Sequence, residues 1–352
     1  MSASLRLSRR RVLARGLMAS CGIAVGIGLA GCQGTDQAQT QEDVLKLPPA
    51  VLAGYEGYAR PVSTQSAEAQ KWFNTGIQLL YGFNHDEAIR AFTRASQIDP
   101  ACAMAWWGIA YAHGLHINNP QMGEEQSRLA YEASREALQR MDGATPVERA
   151  LVEAVAMRYA WPMPEDRRPL DERYADAMQA AHRAFPSDPD VGALYAESLM
   201  NLQPWDLWTH EGESKGRTLE IVQVLEHVMQ VAPMHPGANH FYIHAVEASK
   251  SPERATAAAE RLVDLVPGSG HLVHMPSHVF IRTGRYAEAA DANERAIAAD
   301  EAYFAVAPEP RFYSLYFMHN IHFLAYAAMM EGRYETAIAA ARKIEQQIPE
   351  QF

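Results

Sequence analysis

Residues 69–100 read AQKWFNTGIQLLYGFNHDEAIRAFTRASQIDP. Like the rest of the 352-residue chain, this stretch is rich in Ala and poor in runs of Val, Ile and Thr. Gly and Pro fall mostly between segments rather than within them. That profile predicts an all-helical protein. With 48% apolar residues the chain can bury a substantial core, and its length suits one large or two ordinary domains.

The internal order of the stretch is more specific. Counting Ala69 as position 1, Trp72 stands at 4, Gly76 at 8, Ala88 at 20, Phe92 at 24, Ala95 at 27 and Pro100 at 32. In these positions the stretch resembles the tetratricopeptide repeat, a 34-residue helix–turn–helix unit. Small residues let the two helices approach, aromatic residues fill the gap to the next unit, and Pro stops the second helix. The frame returns at Ala103 in AMAWWGIAYAHG, with Trp106 at 4 and Ala110 at 8. It returns again in units starting at Pro236, at Gly270 (34 residues on) and at Met318. The extra residues before Met318 hold the insert YFAVAPEPRFYSL.

Between residues 117 and 235 periodicity predicts helices over Gln126–Arg140, Pro146–Tyr159, Asp171–Phe185 and Thr218–Val231. Inserts lie around WPMPEDRRP and LQPWDLWTHEGESKG, where Trp205 and Trp208 read as packing between units. The resemblance implies an all-α, tetratricopeptide-type solenoid over 67–352, a right-handed superhelix of antiparallel helix pairs with a concave groove lined by the first helices. Nothing after IEQQIPEQF reads as a polar capping helix, so the expectation is a truncated chain or a covered end.

Residues 1–31 read as an export signal. SRRRVLARG supplies positive charge, with Arg9 and Arg10 similar to a twin-arginine motif, and LAGC ending at Cys32 fits the bacterial lipobox (29–32). The expectation is an exported lipoprotein held on the bacterial cell membrane or outer membrane, facing the periplasm, by lipid on Cys32, with residues 32–66 as lipidated Cys and polar tether. Without residues 1–31 the chain carries 26 basic and 42 acidic residues, a net of −16. Such a surface argues against nucleic acid and against electrostatic docking on anionic lipid. Only Cys102 remains beside Cys32, which excludes thiolate metal sites.

In the resembled family, positions 2, 5, 9 and 12 of each first helix face the groove, a 3-4-3 spacing that makes one helical stripe. In the last three units these positions hold Gly237, His240, His244 and Glu247; then His271, His274, His278 and Ile281; then His319, His322, Tyr326 and Met329. Fourteen His in 352 residues would put about half a His in twelve positions by chance, against seven found. Imidazoles at i, i+3 and i, i+4 point their nitrogens at one centre, and they suit copper, iron or zinc alike. The expected ligand set is His240, His244, Glu247, His271, His274, His278, His319 and His322. These exceed one coordination shell, so either two ions bind or some of these groups orient the others.

HFYIHAVE (240–247) is neither the HExxH zinc motif nor the ExxH motif of di-iron bundles. His113 and His116 read as packing or turn residues, and Met329–Met330 as core. Pro276 at position 7 removes a helical hydrogen bond and pushes on the carbonyl of Leu272. This predicts a kink among the histidines, or else a helix that starts near Pro276 with His271 and His274 on the approaching turn; the unbroken 34-residue spacing favours the kink. Three functions fit: a transition-metal binder, an envelope scaffold whose groove grips a protein or peptide, and a metal-dependent oxidoreductase.

Overall fold

The computed structural model describes residues 48–307 and 311–347. The stretches expected to be an export signal with Arg9 and Arg10 and a lipobox ending at Cys32, and the tail beyond residue 347, lie outside the described residues. Among those described there is no β-strand, and no helix is long and apolar enough to cross a membrane.

The chain is an all-α solenoid of consecutive helix pairs. They are α1 (Ala67–Tyr81) with α2 (His85–Ile98), α3 (Ala103–Ala112) with α4 (Glu124–Gln139), and α5 (Pro146–Met157) with α6 (Arg168–Ala184). Next come α7 (Pro189–Asn201) with α8 (Thr218–Val231) and α9 (Pro236–Val246) with α10 (Thr256–Leu265). The short helices α11 (Gly270–His274) and α12 (Pro276–Arg282) together face α13 (Tyr286–Phe304), and α14 (Ser314–Glu331) pairs with α15 (Tyr334–Gln347). Starts are set by side-chain caps: Ser66 accepts from Ala69 N, Asp188 from Val191 N and Ser269 from Leu272 N. Thr145 and Glu148 form a reciprocal capping box on α5.

Phe92 shows why the repeat positions hold the residues they do. Its ring is fully buried between Gly76 of α1 and Gly108 of α3. A Cβ on Gly76 would lie 2.6 Å from the ring, and one on Gly108 2.5 Å from it. Two glycines therefore make the slot that one Phe fills, and the slot ties the first unit to the second. Phe92→Ala is expected to cost about 3–5 kcal/mol in denaturant unfolding, since the two glycines that flank the slot have no side chains to fill the cavity.

Two features differ from the expected open superhelix. First, residues 48–66, assigned by composition to the tether, are fastened along the edge where several helices begin. Ser63 N donates to Glu148 at the start of α5 (2.6 Å), and Arg60 pairs with Asp188 and Asp190 at the start of α7 (2.9 and 2.6 Å). The Tyr58 ring meets His235 at the start of α9 (5.0 Å), and Tyr55 OH donates to Gly268 O just before α11 (3.1 Å). Acidic side chains at these starts also suit the positive ends of the helix dipoles.

Second, the solenoid curls back until its first unit touches much later ones. His240 Nδ1 lies 2.7 Å from the carbonyl of Tyr81, and Tyr303 OH donates to Asn84 Oδ1 (3.4 Å). Gly237, expected to face a groove, is instead the close approach of α9 to the Tyr81 ring. The α1–α2 turn thus packs against α9, and His240, His244, His271 and His274, expected on an open face, are buried.

Smaller differences have local causes. Helix α7 escapes the periodicity because nearly all of it is buried, so it has no polar face to mark it. Met329 and Met330, read as core, are 60% and 46% exposed on the outer end of α14. Trp208 does pack, donating from Nε1 to Ala245 O (2.8 Å), but Trp205 is 51% exposed and meets His244 rather than a neighbouring unit.

Candidate metal centre

Helix α9 presents His240 and His244 one turn apart. Its start is fixed by His235, whose Nδ1 accepts from Ala238 N (3.0 Å). The proton on that ring is therefore on Nε2, 3.2 Å from Asp190 Oδ1. Helices α11 and α12 carry His271, His274 and His278. Between them Met275 keeps right-handed helical dihedrals (φ −50°, ψ −37°), and α12 starts at Pro276, its first residue, so the helical path is interrupted among the histidines. Helix α14 adds His319.

The imidazoles sort into two groups of three rather than one set. In each group a ligand nitrogen of every residue lies within 4.8 Å of the others: His240, His244 and His271 form the first triad, and His274, His278 and His319 the second. His240 Nε2 and His271 Nε2 are 3.1 Å apart; His274 Nε2 and His278 Nε2 are 2.9 Å apart. Two nitrogens each bound to one ion at ~2.05 Å would be separated by roughly 2.9 Å at a right angle and 3.3 Å at the tetrahedral angle.

The protons on these rings can be placed from their outer partners. His274 Nδ1 lies 2.7 Å from Asn293 Oδ1, and the Asn293 amide nitrogen donates to Ala289 O (2.7 Å), which fixes Oδ1 as the acceptor. His278 Nδ1 lies 2.7 Å from Glu247 Oε2, and His244 Nδ1 2.9 Å from Glu247 Oε1. His240 Nδ1 faces a backbone carbonyl. In all four rings Nδ1–H is donated to oxygen, leaving Nε2 as a bare lone pair turned inward. His244 Nε2 has no hydrogen-bond partner, nor does His271 Nδ1. An outer N–H held by carboxylate or carbonyl is the arrangement that orients metal-ligating histidines.

Glu247 is thus placed differently from the expectation. Both its oxygens are occupied by imidazole N–H groups, one from each triad, so it stands behind the ligands and joins the two groups. His322 is exposed and belongs to neither triad. Of the eight expected residues, six form the triads, one orients two of them, and one lies outside.

Electrostatics favours the unprotonated ligands. Burial, reinforced by neighbouring imidazoles, holds His240, His271 and His274 well below the usual imidazole range, and burial also lowers His244 and takes His319 to about 3. Burial alone would raise the Glu247 carboxyl, but His278 and His244 outweigh it and hold it below its ordinary value. Cys102 plays no part: it is buried at the start of α3, its thiol pushed up to about 11 by burial.

Aromatic rings enclose the centre. Phe83, in a left-handed conformation (φ 56°), contacts His240, His244, His271 and His116. Tyr316 lies 4.2 Å from the His271 ring, and Phe323 lies 4.5–4.8 Å from all three rings of the second triad. His116, stacked on Phe83 at 4.1 Å, is a packing residue as expected. The sequence reading missed Asn293 and Phe83. Asn293 had a signal: it occupies position 24 of its unit, where Phe92 stands in the first.

Behind the first triad, His271 N donates to Tyr313 OH (3.2 Å), and Asp300 accepts from Asn320 Nδ2 (2.7 Å). Burial pushes the Asp300 carboxyl up to about 7, against about 3.9 unfolded. With the folded value raised, stability falls as pH rises from about 4 through about 7. Asp300→Asn keeps an uncharged polar group there, so it is expected to match the parent near pH 5 and exceed it at pH 8 by on the order of 2 kcal/mol in denaturant melts.

Compared with known proteins, the chain matches no family model and no curated protein.

Proposed function

We propose that this chain binds transition-metal ions, one in each histidine triad, as a tetratricopeptide-type protein exported and anchored to the bacterial envelope through lipid on Cys32. One observation carries the metal reading. His274 and His278 hold bare Nε2 lone pairs 2.9 Å apart in a buried setting, with both outer N–H groups already donated to oxygen. Two lone pairs so close repel unless a cation sits between them, and the low protonation tendency of buried His274 disfavours a proton in that role. All-imidazole sets without thiolate suit copper, iron or zinc.

The test is the metal content of full-length chain purified from its native membrane fraction, with titration of chelator-stripped protein. About two equivalents per chain are expected, falling to about one in His240→Gln and in His274→Gln. Absence of tight binding in folded protein would overturn the proposal.

A second reading, a metal-dependent oxidoreductase, draws support from the second triad. It offers three protein nitrogens and a partly exposed edge at His278 and His319, which leaves a position for water or substrate. A groove that grips a peptide has less support, since the α1–α2 turn packs against α9 and most of the histidines expected to line the groove are buried.

A further inference from the structure

The two triads are unequal in their access to solvent. All three residues of the first are buried, whereas His278 and His319 of the second are only partly so. His322, which neither triad uses, is exposed and lies one helical turn beyond His319 on α14. Side chains three apart on a helix are neighbours, with Cβ atoms about 5–6 Å apart.

From His319 inward the imidazoles are continuous. Ring centroids are 5.6 Å apart for His319–His278, 4.8 Å for His278–His274, 6.1 Å for His274–His271 and 4.9 Å for His271–His240. A second link runs from His278 to His244 at 6.0 Å. Exposure falls along this row, from exposed His322 through half-buried His319 and His278 to His274 and His240 at 0%. On its other sides the first triad is covered by Phe83, Tyr316 and Trp205.

Resting on the metal reading of the triads, we propose that they fill in series: an incoming divalent or monovalent transition-metal ion is caught by His322, passes to the second triad and reaches the buried first triad from there. Each step is a ligand exchange. A metal–nitrogen bond to the inner imidazole forms as the bond to an outer one breaks, with no change in the oxidation state of the ion. The row serves this because the ion always has an imidazole within reach and is never left uncoordinated in a buried, low-dielectric setting, where a bare charge is very costly. The second triad is then the exchangeable site and the first the resident one.

Cobalt(II) is the probe, since its visible d–d absorption reports nitrogen coordination. Equilibrium uptake by the stripped full-length chain is measured first, then the rate of uptake after rapid mixing. Two equivalents filling in a fast and a slow phase of equal amplitude support the proposal. His322→Gln, at an exposed position, is expected to slow the fast phase about tenfold with the stoichiometry still at two. His319→Gln, which cripples the second triad, is expected to retain one equivalent and fill it about tenfold more slowly than the parent slow phase. Two equivalents that fill in a single phase, or rates unchanged in both variants, overturn serial filling and leave the metal reading standing. No uptake at equilibrium overturns both.

Discussion

Glu247→Gln is expected to weaken metal binding at both triads at once and to make the two sites markedly unequal. The Glu247 carboxylate accepts Nδ1–H from His244 through one oxygen and from His278 through the other. It thereby orients one ligand of each triad and raises the basicity of the inward Nε2. Gln offers only one oxygen. Its amide N–H₂ must face the remaining imidazole N–H, two donors against each other, unless that ring moves its proton to Nε2 and ceases to be a ligand. The site that keeps the oxygen should lose roughly tenfold in affinity and the other roughly a hundredfold, the usual range for loss of such an orienting partner. Competition titration against a chromophoric chelator would measure both. Two unchanged affinities would show that Glu247 holds no ligand in place.

Asp190→Ala is expected to cost about 3–5 kcal/mol, the range for removing one partner of a buried ion pair. Asp190 is 2% exposed and binds Arg60 (2.6 Å), Tyr81 OH (2.5 Å) and His235 (3.2 Å) together. Its loss leaves a 6% exposed guanidinium with only Asp188, and strips partners from two buried rings. The effect should reach the candidate metal centre unevenly. His235 caps α9 and Tyr81 offers its carbonyl to His240, so the first triad should weaken while the second keeps its affinity.

The same carboxyl gives a pH signature. Burial would raise it, but Arg60, His235 and Tyr81 outweigh burial and hold it well below the ordinary carboxylate range. With the folded value depressed, its stabilisation is complete above about pH 4, the unfolded value, and is lost progressively as pH falls below that. Urea melts at pH 6 and pH 3 should therefore show a larger loss for the parent than for Asp190→Ala.

Much of this architecture is legible from spacing. Trp72, Gly76, Phe92 and Pro100 locate the first helix pair, and the 34-residue step from Pro236 to Gly270 aligns the two units that carry five of the six triad histidines. Pro276 announces the interruption that the structure shows between α11 and α12. Helix α7 leaves no such mark, because a helix buried on every side loses the polar half of its period. The role of residues 48–66 is equally hidden: their contacts are made one residue at a time to helix starts far along the chain, and no periodicity records them.

For the histidines the division is clear. Local sequence settles which imidazoles share a helical stripe, since a 3-4-3 spacing on a 3.6-residue helix admits only one face. It cannot settle how neighbouring stripes meet, because that depends on how tightly the solenoid curls. The curl brings Tyr81 and Phe83 of the first unit against α9, buries the stripe, divides six histidines into two triads and turns Glu247 from an expected ligand into the carboxylate behind both. The contacts of Tyr81 and Phe83 with His240 join residues more than a hundred positions apart, those that form the triads and hold Glu247 join neighbouring helix pairs, and packing decides both.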